Sequence, residues 1–148
     1  MAAAGSVQVR RVFISHCSAD RKFVHRLLQI LKQNRIRYWY SERHIPGATN
    51  WHDEIGQALK RCDWFLIVLS KKAVRSRWVK RELVYALRQN RYDGRVVPVL
   101  IASCKYDDLS WTLAAIEMID FRGEFKTGCR RLLKVWGIRA KMKRAGRN

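Results

Sequence analysis

Apolar residues fall along this chain in two alternating rhythms. Short apolar runs of strand length are separated by longer segments whose apolar residues recur at helical spacing. The first run, Arg11-Val12-Phe13-Ile14-Ser15, reads as a buried strand and leads into polar His16-Cys17-Ser18-Ala19-Asp20. Phe23, Val24, Leu27, Leu28 and Leu31 then return at helical spacing, with Asp20 as the helix-start residue. Ile36 to Tyr40 is a second strand, rich in aromatics. Pro46-Gly47 marks a turn. Asn50 is placed to cap a helix with Trp51, Ile55, Leu59 and Cys62 on one face, and Asp53 and Glu54 suit the dipole of its first turn. Asp63 to Ser70 holds the most continuous apolar run, the pattern of a central strand. A basic helix is expected from about Ser76 to Asn90, with Val79, Leu83, Ala86 and Leu87 facing inward. Arg95 to Ala102 is a fourth strand and Ile116 to Phe121 a short fifth, while Phe125, Leu132, Leu133 and Trp136 mark a last helix.

Strands alternating with helices imply a parallel sheet covered on both faces, an α/β fold. Five strands in a single domain of 148 residues fit the flavodoxin-like order 2-1-3-4-5. In that order the winding reverses between the first and third strands, and ligands bind outside their carboxyl ends. Topology thus nominates His16 to Asp20, and Ser70 onward into the basic helix, before any chemistry is considered.

Composition narrows the picture. Apolar residues at 48% exclude disorder, but 31 Lys and Arg against 12 Asp and Glu give a net charge of +19. That excess keeps nucleic acid, anionic surfaces and phosphate-bearing small molecules among the candidate partners. Cys17, Cys62, Cys104 and Cys129 form no CxxC pair, and no His stands at zinc-finger spacing, so no metal site is expected. The start of the chain lacks the features of a signal peptide. The longest apolar run, Trp64 to Leu69, is far shorter than the ~20 residues of a membrane span, so a reduced, cytoplasmic setting is expected.

Chemical motifs are mostly absent. There is no GxGxxG, no GxxxxGK[ST] and no GxSxG. A receiver-type phosphoacceptor is excluded as well, because Ser70 stands where that role needs an Asp. Glu82 is the one carboxylate between Asp63 and Asp93, among eight Lys and Arg residues that favour its ionised form. Trp78 and Glu82 are four apart on the helix and share a face, while Leu83 lies ~100° round toward the core. An indole beside a carboxylate at a switch-point cleft can hold an aromatic ring and stabilise a nearby cation. The plainer reading is an exposed Glu in a salt-bridged helix next to a core-edge Trp, and spacing alone favours it.

Several motifs in their order change that balance. Val12-Phe13-Ile14-Ser15-His16, the Asp20 that follows, and Ile45-Pro46-Gly47 ahead of a helix opening on Trp51 resemble a Toll/interleukin-1 receptor (TIR) domain. So do the strand Phe65 to Ser70 and the following Ser76-Arg77-Trp78-Val79-Lys80-Arg81-Glu82-Leu83. The resemblance spans Arg10 to Trp136, leaving residues 1–9 as an N-terminal extension and 137–148 as a basic tail. It implies the five-stranded fold already derived and one of two modes of action. Some TIR domains are scaffolds that self-assemble; others cleave NAD⁺ between nicotinamide and ribose with a Glu on the third helix, often with a Trp one turn earlier. Glu82 and Trp78 match those positions. The prokaryotic enzymes of this type serve immune, including antiviral, defence by depleting NAD⁺ or by making a cyclic ADP-ribose signal. By this resemblance Glu82 is the catalytic residue and NAD⁺ a substrate rather than a cofactor.

The remaining candidates rest on position. Phe13, Ser15 and His16 close the first strand at the switch point, where contact with ribose, nicotinamide or phosphate competes with shaping a tight turn. Arg43 and His44 lie in the stretch Glu42 to Trp51, which resembles the family's gating loop, and can meet a pyrophosphate. Ser76 reads as a helix cap close to the site, and Trp51 as a core residue. His25 and His52 have no metal companions in sequence. From Phe125 to Asn148 the chain carries nine cations and no acid, and Gly137 to Asn148 is expected to fray. Three classes of function compete: an NAD⁺ glycohydrolase or cyclase active on assembly, a non-catalytic TIR adaptor, and a basic module for nucleic acid or membrane.

Overall fold

The computed structural model describes residues 9, 11–40 and 51–142. Five strands, β1 (Arg11–Ser15), β2 (Arg37–Tyr40), β3 (Trp64–Leu69), β4 (Val96–Leu100) and β5 (Ile119–Asp120), form one parallel sheet in the order β2-β1-β3-β4-β5. The helices are α1 (Arg21–Gln33), α2 (Trp51–Arg61), the short α3 (Lys71–Val74), α4 (Arg77–Leu87) and α5 (Phe125–Val135). The expected order and winding are therefore observed.

Every residue of β3 is buried, because helices cover both faces of the sheet at its centre. Its side chains divide by parity. Trp64, Leu66 and Val68 enter a core shared with α1 and α5, and Phe65, Ile67 and Leu69 enter one shared with α2 and α4. Strand edges differ from the expected ones where pairing stops. β5 has only two paired residues, Ile119 opposite Val99 and Asp120 opposite Leu100. The preceding segment Trp111–Ala115 is wound into a 3-10 helix, so Ile116 cannot open a strand. This late start accommodates Pro98. Ile101 N donates to Leu69 O on the β3 side, and Leu100 O accepts from Phe121 N on the β5 side. Alternation then directs the Pro98 nitrogen toward β5 at a level where β5 has not yet begun, so no ladder bond is lost.

Three local expectations are corrected. Asp20 stands at the start of α1, but its carboxylate does not cap the helix. It accepts instead from Ser70 Oγ at 2.5 Å and Cys17 Sγ at 3.0 Å, joining the carboxyl ends of β1 and β3. Leu87 is 37% exposed rather than inward-facing, because α4 ends there. The chain after α5 does not fray at once. Gly137 closes the helix with φ +69°, Ile138, Ala140 and Met142 pack on the α1/α5 core, and Lys141 exchanges two backbone hydrogen bonds with the Asn34 amide at 2.9 and 3.0 Å. Asn50, the loop from Glu42 with its Pro46-Gly47 turn, the Trp51 side chain and residues 143–148 lie outside the described residues.

Candidate active site

Ser76 opens α4 as the helix cap expected of it, its Oγ accepting from Val79 N at 3.2 Å. From that start, the helical period turns Val79, Leu83 and Ala86 into the core and carries Glu82 with them. Glu82 is only 2% exposed, which overturns the plainer reading of a solvated surface Glu. Removing a carboxylate from water is costly unless it is hydrogen-bonded. Ser15, fully buried at the end of β1, donates from Oγ to Glu82 Oε1 at 2.6 Å across 67 residues of sequence. β1 and α4 are thus joined at the switch point by a short polar bond.

Glu82 forms part of the wall of a cavity of about 490 Å³ between α2 and α4, within the size range of ligand pockets. Trp78, Arg81 and Tyr85 line it from α4; His52, Asp53 and Gln57 line it from α2. Trp78 is held from two sides. The His52 ring meets it edge-on at 5.4 Å, and the Arg81 guanidinium lies 5.0 Å from its ring centre. The site combines the buried Glu82 carboxylate, an oriented indole and the Arg81 cation, with Asp53, Gln57 and Lys60 on the α2 side.

Not every candidate residue converges there. Phe13 is fully buried, stacked on Trp39 at 5.0 Å and on Phe65 at 5.5 Å, so it is a core residue with no surface for a ligand. His16 is 4% exposed, with its ring 6.1 Å from that of Tyr40. The Ser15 hydroxyl is committed to Glu82 rather than open to substrate. Arg43 and His44 lie outside the described residues. Conversely, sequence reasoning overlooked His52, Arg81 and Tyr85. Arg81 and Tyr85 share the exposed flank of α4 with Trp78 at spacings of three and four, a signal that was present; His52 required the packing of α2 on α4. Among the described residues no group of three His, Cys, Asp or Glu side chains is arranged to hold a metal ion. No helix among them is long and apolar enough to cross a membrane.

The fold agrees with the comparisons to known proteins. The TIR domain family model matches residues 12–133, and the chain belongs to that family. It is 24% identical over 90 residues to the "Probable 2' cyclic ADP-D-ribose synthase TcpO" of Methanobrevibacter olleyae, covering 60% of this chain and 26% of that protein. It is 27% identical over 122 residues to the "Stimulator of interferon genes protein" of Magallana gigas, covering 80% and 29%. To the "NAD(+) hydrolase TcpA" of Theionarchaea archaeon (strain DG-70-1) it is 32% identical over 73 residues, covering 49% and 22%. The chain spans less than a third of the length of each of these relatives. Among solved structures, the TIR domain of the Toll-related receptor TRR-2 from Hydra magnipapillata superposes with a TM-score of 0.69 at 17% identity, covering 86% of this chain and 98% of that one.

Proposed function

We propose that this TIR domain is an NAD⁺ nucleosidase that cleaves the bond between nicotinamide and ribose, with Glu82 as its catalytic carboxylate. The observation that carries the reading is the burial of Glu82 in the wall of the α2/α4 cavity, beside Trp78 and held by Ser15. Two relatives named for NAD⁺ hydrolysis and for cyclic ADP-ribose synthesis support it. NAD⁺ carries a cationic N-glycoside. When its C1′–N bond breaks, the electron pair passes to the nicotinamide nitrogen and the base leaves neutral, so no general acid is needed. Positive charge then develops on the ribose as an oxocarbenium ion. One fixed carboxylate can stabilise it, half of the usual two-carboxylate arrangement of glycosidases. Trp78 offers a face for nicotinamide or adenine, and Arg81 a charge for the pyrophosphate. Water capturing the cation, with loss of a proton, gives ADP-ribose; capture by a nucleophile within the same molecule gives a cyclic product. Immune defence, through NAD⁺ depletion or such a signal, is the setting this chemistry serves.

The test is to incubate concentrated protein with NAD⁺ and separate the products. Glu82→Gln preserves shape and removes charge, and it is expected to lower turnover by about 10²–10³-fold. Release of nicotinamide at the wild-type rate by folded Glu82→Gln overturns the assignment. A second reading, a non-catalytic adaptor acting through TIR–TIR contacts, draws on Trp111, which is 79% exposed in the segment between β4 and β5. It predicts association without turnover.

A further inference from the structure

At the opposite end of the sheet from Ser15 and Glu82, where the strands begin, a cavity of about 430 Å³ opens beside the edge strand β2. Among the described residues four cations line it, Arg11, Lys32, Arg35 and Arg37, together with the half-buried Tyr38 and Trp39, and no acid does. A second depression of about 360 Å³ adjoins it through Arg11 and Trp39, and there Asp53 and Glu54 line it from α2, so the acid-free side of Trp39 is the one toward Arg35 and Arg37. Among the described residues none of the four cations is ion-paired with a carboxylate.

One of these residues is placed against local stability. Arg35 follows α1 with φ +58°, in the left-handed region that costs an L-residue about 1–2 kcal/mol. The turn is a Schellman motif: Arg35 N donates to Lys32 O at 3.1 Å and Ile36 N to Leu31 O at 2.9 Å. The same motif ends α5, where Gly137 N donates to Lys134 O and Ile138 N to Leu133 O, both at 3.0 Å. There the left-handed position is the usual glycine, at φ +69°. At α1 an arginine stands in its place. Arg37 is the register neighbour of Arg11 on the adjacent strand, and the same parity brings Phe13 and Trp39 together, so the two arginines leave their strands on one face and both line the groove. A strained arginine and two arginines at neighbouring register positions converge on one groove. A bound anion would offset the gathered positive charge and give the strained arginine a partner.

The aromatic lining defines the anion further. One side of Trp39 stacks on Phe13 at 5.0 Å and 22°, yet Trp39 still contributes to both cavities. Indole surface next to a row of cations is the arrangement that takes a base and its phosphate together. We infer that this groove binds a nucleoside phosphate, free or as the unit of a single strand, with phosphate against Arg35, Arg37 and Lys32 and the base against Trp39. The inference is independent of the chemistry at Glu82.

The experiment is fluorescence anisotropy with a labelled oligouridylate of about ten nucleotides, read across a salt series, with ADP as competitor. The double variant Arg35→Gly/Arg37→Ser is expected to weaken binding about tenfold and to reduce the salt slope by about 1.4. The control Arg131→Ser/Lys134→Ser removes the same charge from α5 and is expected to change affinity less than about twofold. Trp39→Leu keeps apolar packing on Phe13 and is expected to lose about fivefold or more, consistent with stacking worth ~1–3 kcal/mol per base. Arg35→Gly alone is expected to raise the melting temperature by about 2–5 °C while weakening binding, opposite signs that a merely structural arginine would not give. Competition by ADP assigns the site to free nucleotide; oligonucleotide binding that ADP does not displace assigns it to a strand. The inference is overturned if the α5 control loses as much affinity as the groove variant. It is overturned equally if inorganic polyphosphate or phosphatidylserine vesicles bind through the groove with no dependence on Trp39. Unchanged oligonucleotide binding with new aggregation would make these arginines guards of the β2 edge and nothing more.

Discussion

The Ser15 hydroxyl and the Glu82 carboxylate are each almost wholly removed from water and lie 2.6 Å apart, so each depends on the other. A buried carboxylate that loses a donor bears part of its desolvation cost, and Ser15→Ala is expected to destabilise the fold by about 1.5–3 kcal/mol. Its kinetic effect separates two roles. Where Ser15 positions Glu82, kcat for NAD⁺ cleavage falls about tenfold or more and KM stays within about twofold. A rise in KM with kcat unchanged would return Ser15 to the role of substrate contact that its place in the sequence proposes. The buried thiols supply a second measurement at this scale. Burial pushes Cys62 and Cys129 up to about 12 from the usual 9.0. Their folded pKa values lie above the unfolded ones, so their contribution to stability is complete below about pH 9 and is lost as pH rises toward 12. Melting temperature should therefore decline across that alkaline window. At pH ~8, iodoacetamide should reach the half-exposed Cys104 and spare the three buried thiols, Cys17, Cys62 and Cys129, until the protein unfolds.

Helix packing carries the next set of consequences. α5 meets the sheet through Gly128, where a Cβ would stand 2.5 Å from Phe121 Cδ1. Phe121 cannot readily yield, since Phe23 meets it edge-on at 5.2 Å and Phe125 lies 5.8 Å away. Gly128→Ala is expected to cost about 1–3 kcal/mol by overpacking, despite the higher helix propensity of alanine. Gly56 in α2 offers the contrast, because nothing lies within 4 Å of its added Cβ. Gly56→Ala should stabilise by about 0.5–1 kcal/mol. Thermal or urea melts of the pair measure both signs, and equal shifts in the two variants would contradict the packing seen here. α4 shows why a helix with a basic sequence serves as more than a solvated face. Its cap at Ser76 sets the rotation that turns Glu82 inward and leaves Trp78, Arg81 and Tyr85 on the cavity side.

For the molecule as a whole, a net charge of +19 opposes contact between identical copies. If TIR–TIR assembly accompanies activity, turnover per protomer should increase with protein concentration and with salt up to about 0.15–0.3 M, where the Debye length shrinks below ~8 Å. Trp111, at 79% exposure, is the apolar residue most open to such a contact among the described exposed hydrophobics. Trp111→Ser should flatten the concentration dependence and leave the fold intact, as sedimentation and activity series would record. Turnover that ignores both concentration and salt would favour a protomer that acts alone.

Periodicity determined the alternation of strands and helices and the number of strands, and five strands in one domain then pointed to the sheet order, because a six-residue apolar run with both neighbours amphipathic has few ways to be covered; the short α3 was not legible in it. It also placed Glu82 and Trp78 on one helix face at the switch point. The family motifs added their expected chemistry. What the sequence could not decide was the burial of Glu82 and its bond to Ser15, since those residues are 67 apart and meet only when α4 crosses the end of β1. Likewise Asp20 reads as a helix cap until folding brings Ser70 within 2.5 Å and draws its carboxylate away. Phe13 belongs to a motif yet serves the core, and His52 has no visible role until α2 packs on α4. The charge excess was plain from composition, but its concentration beside Trp39 depended on strand register and on one left-handed arginine. Local pattern fixes which elements form; long-range packing fixes which polar groups are buried, and burial is what turns a side chain into chemistry.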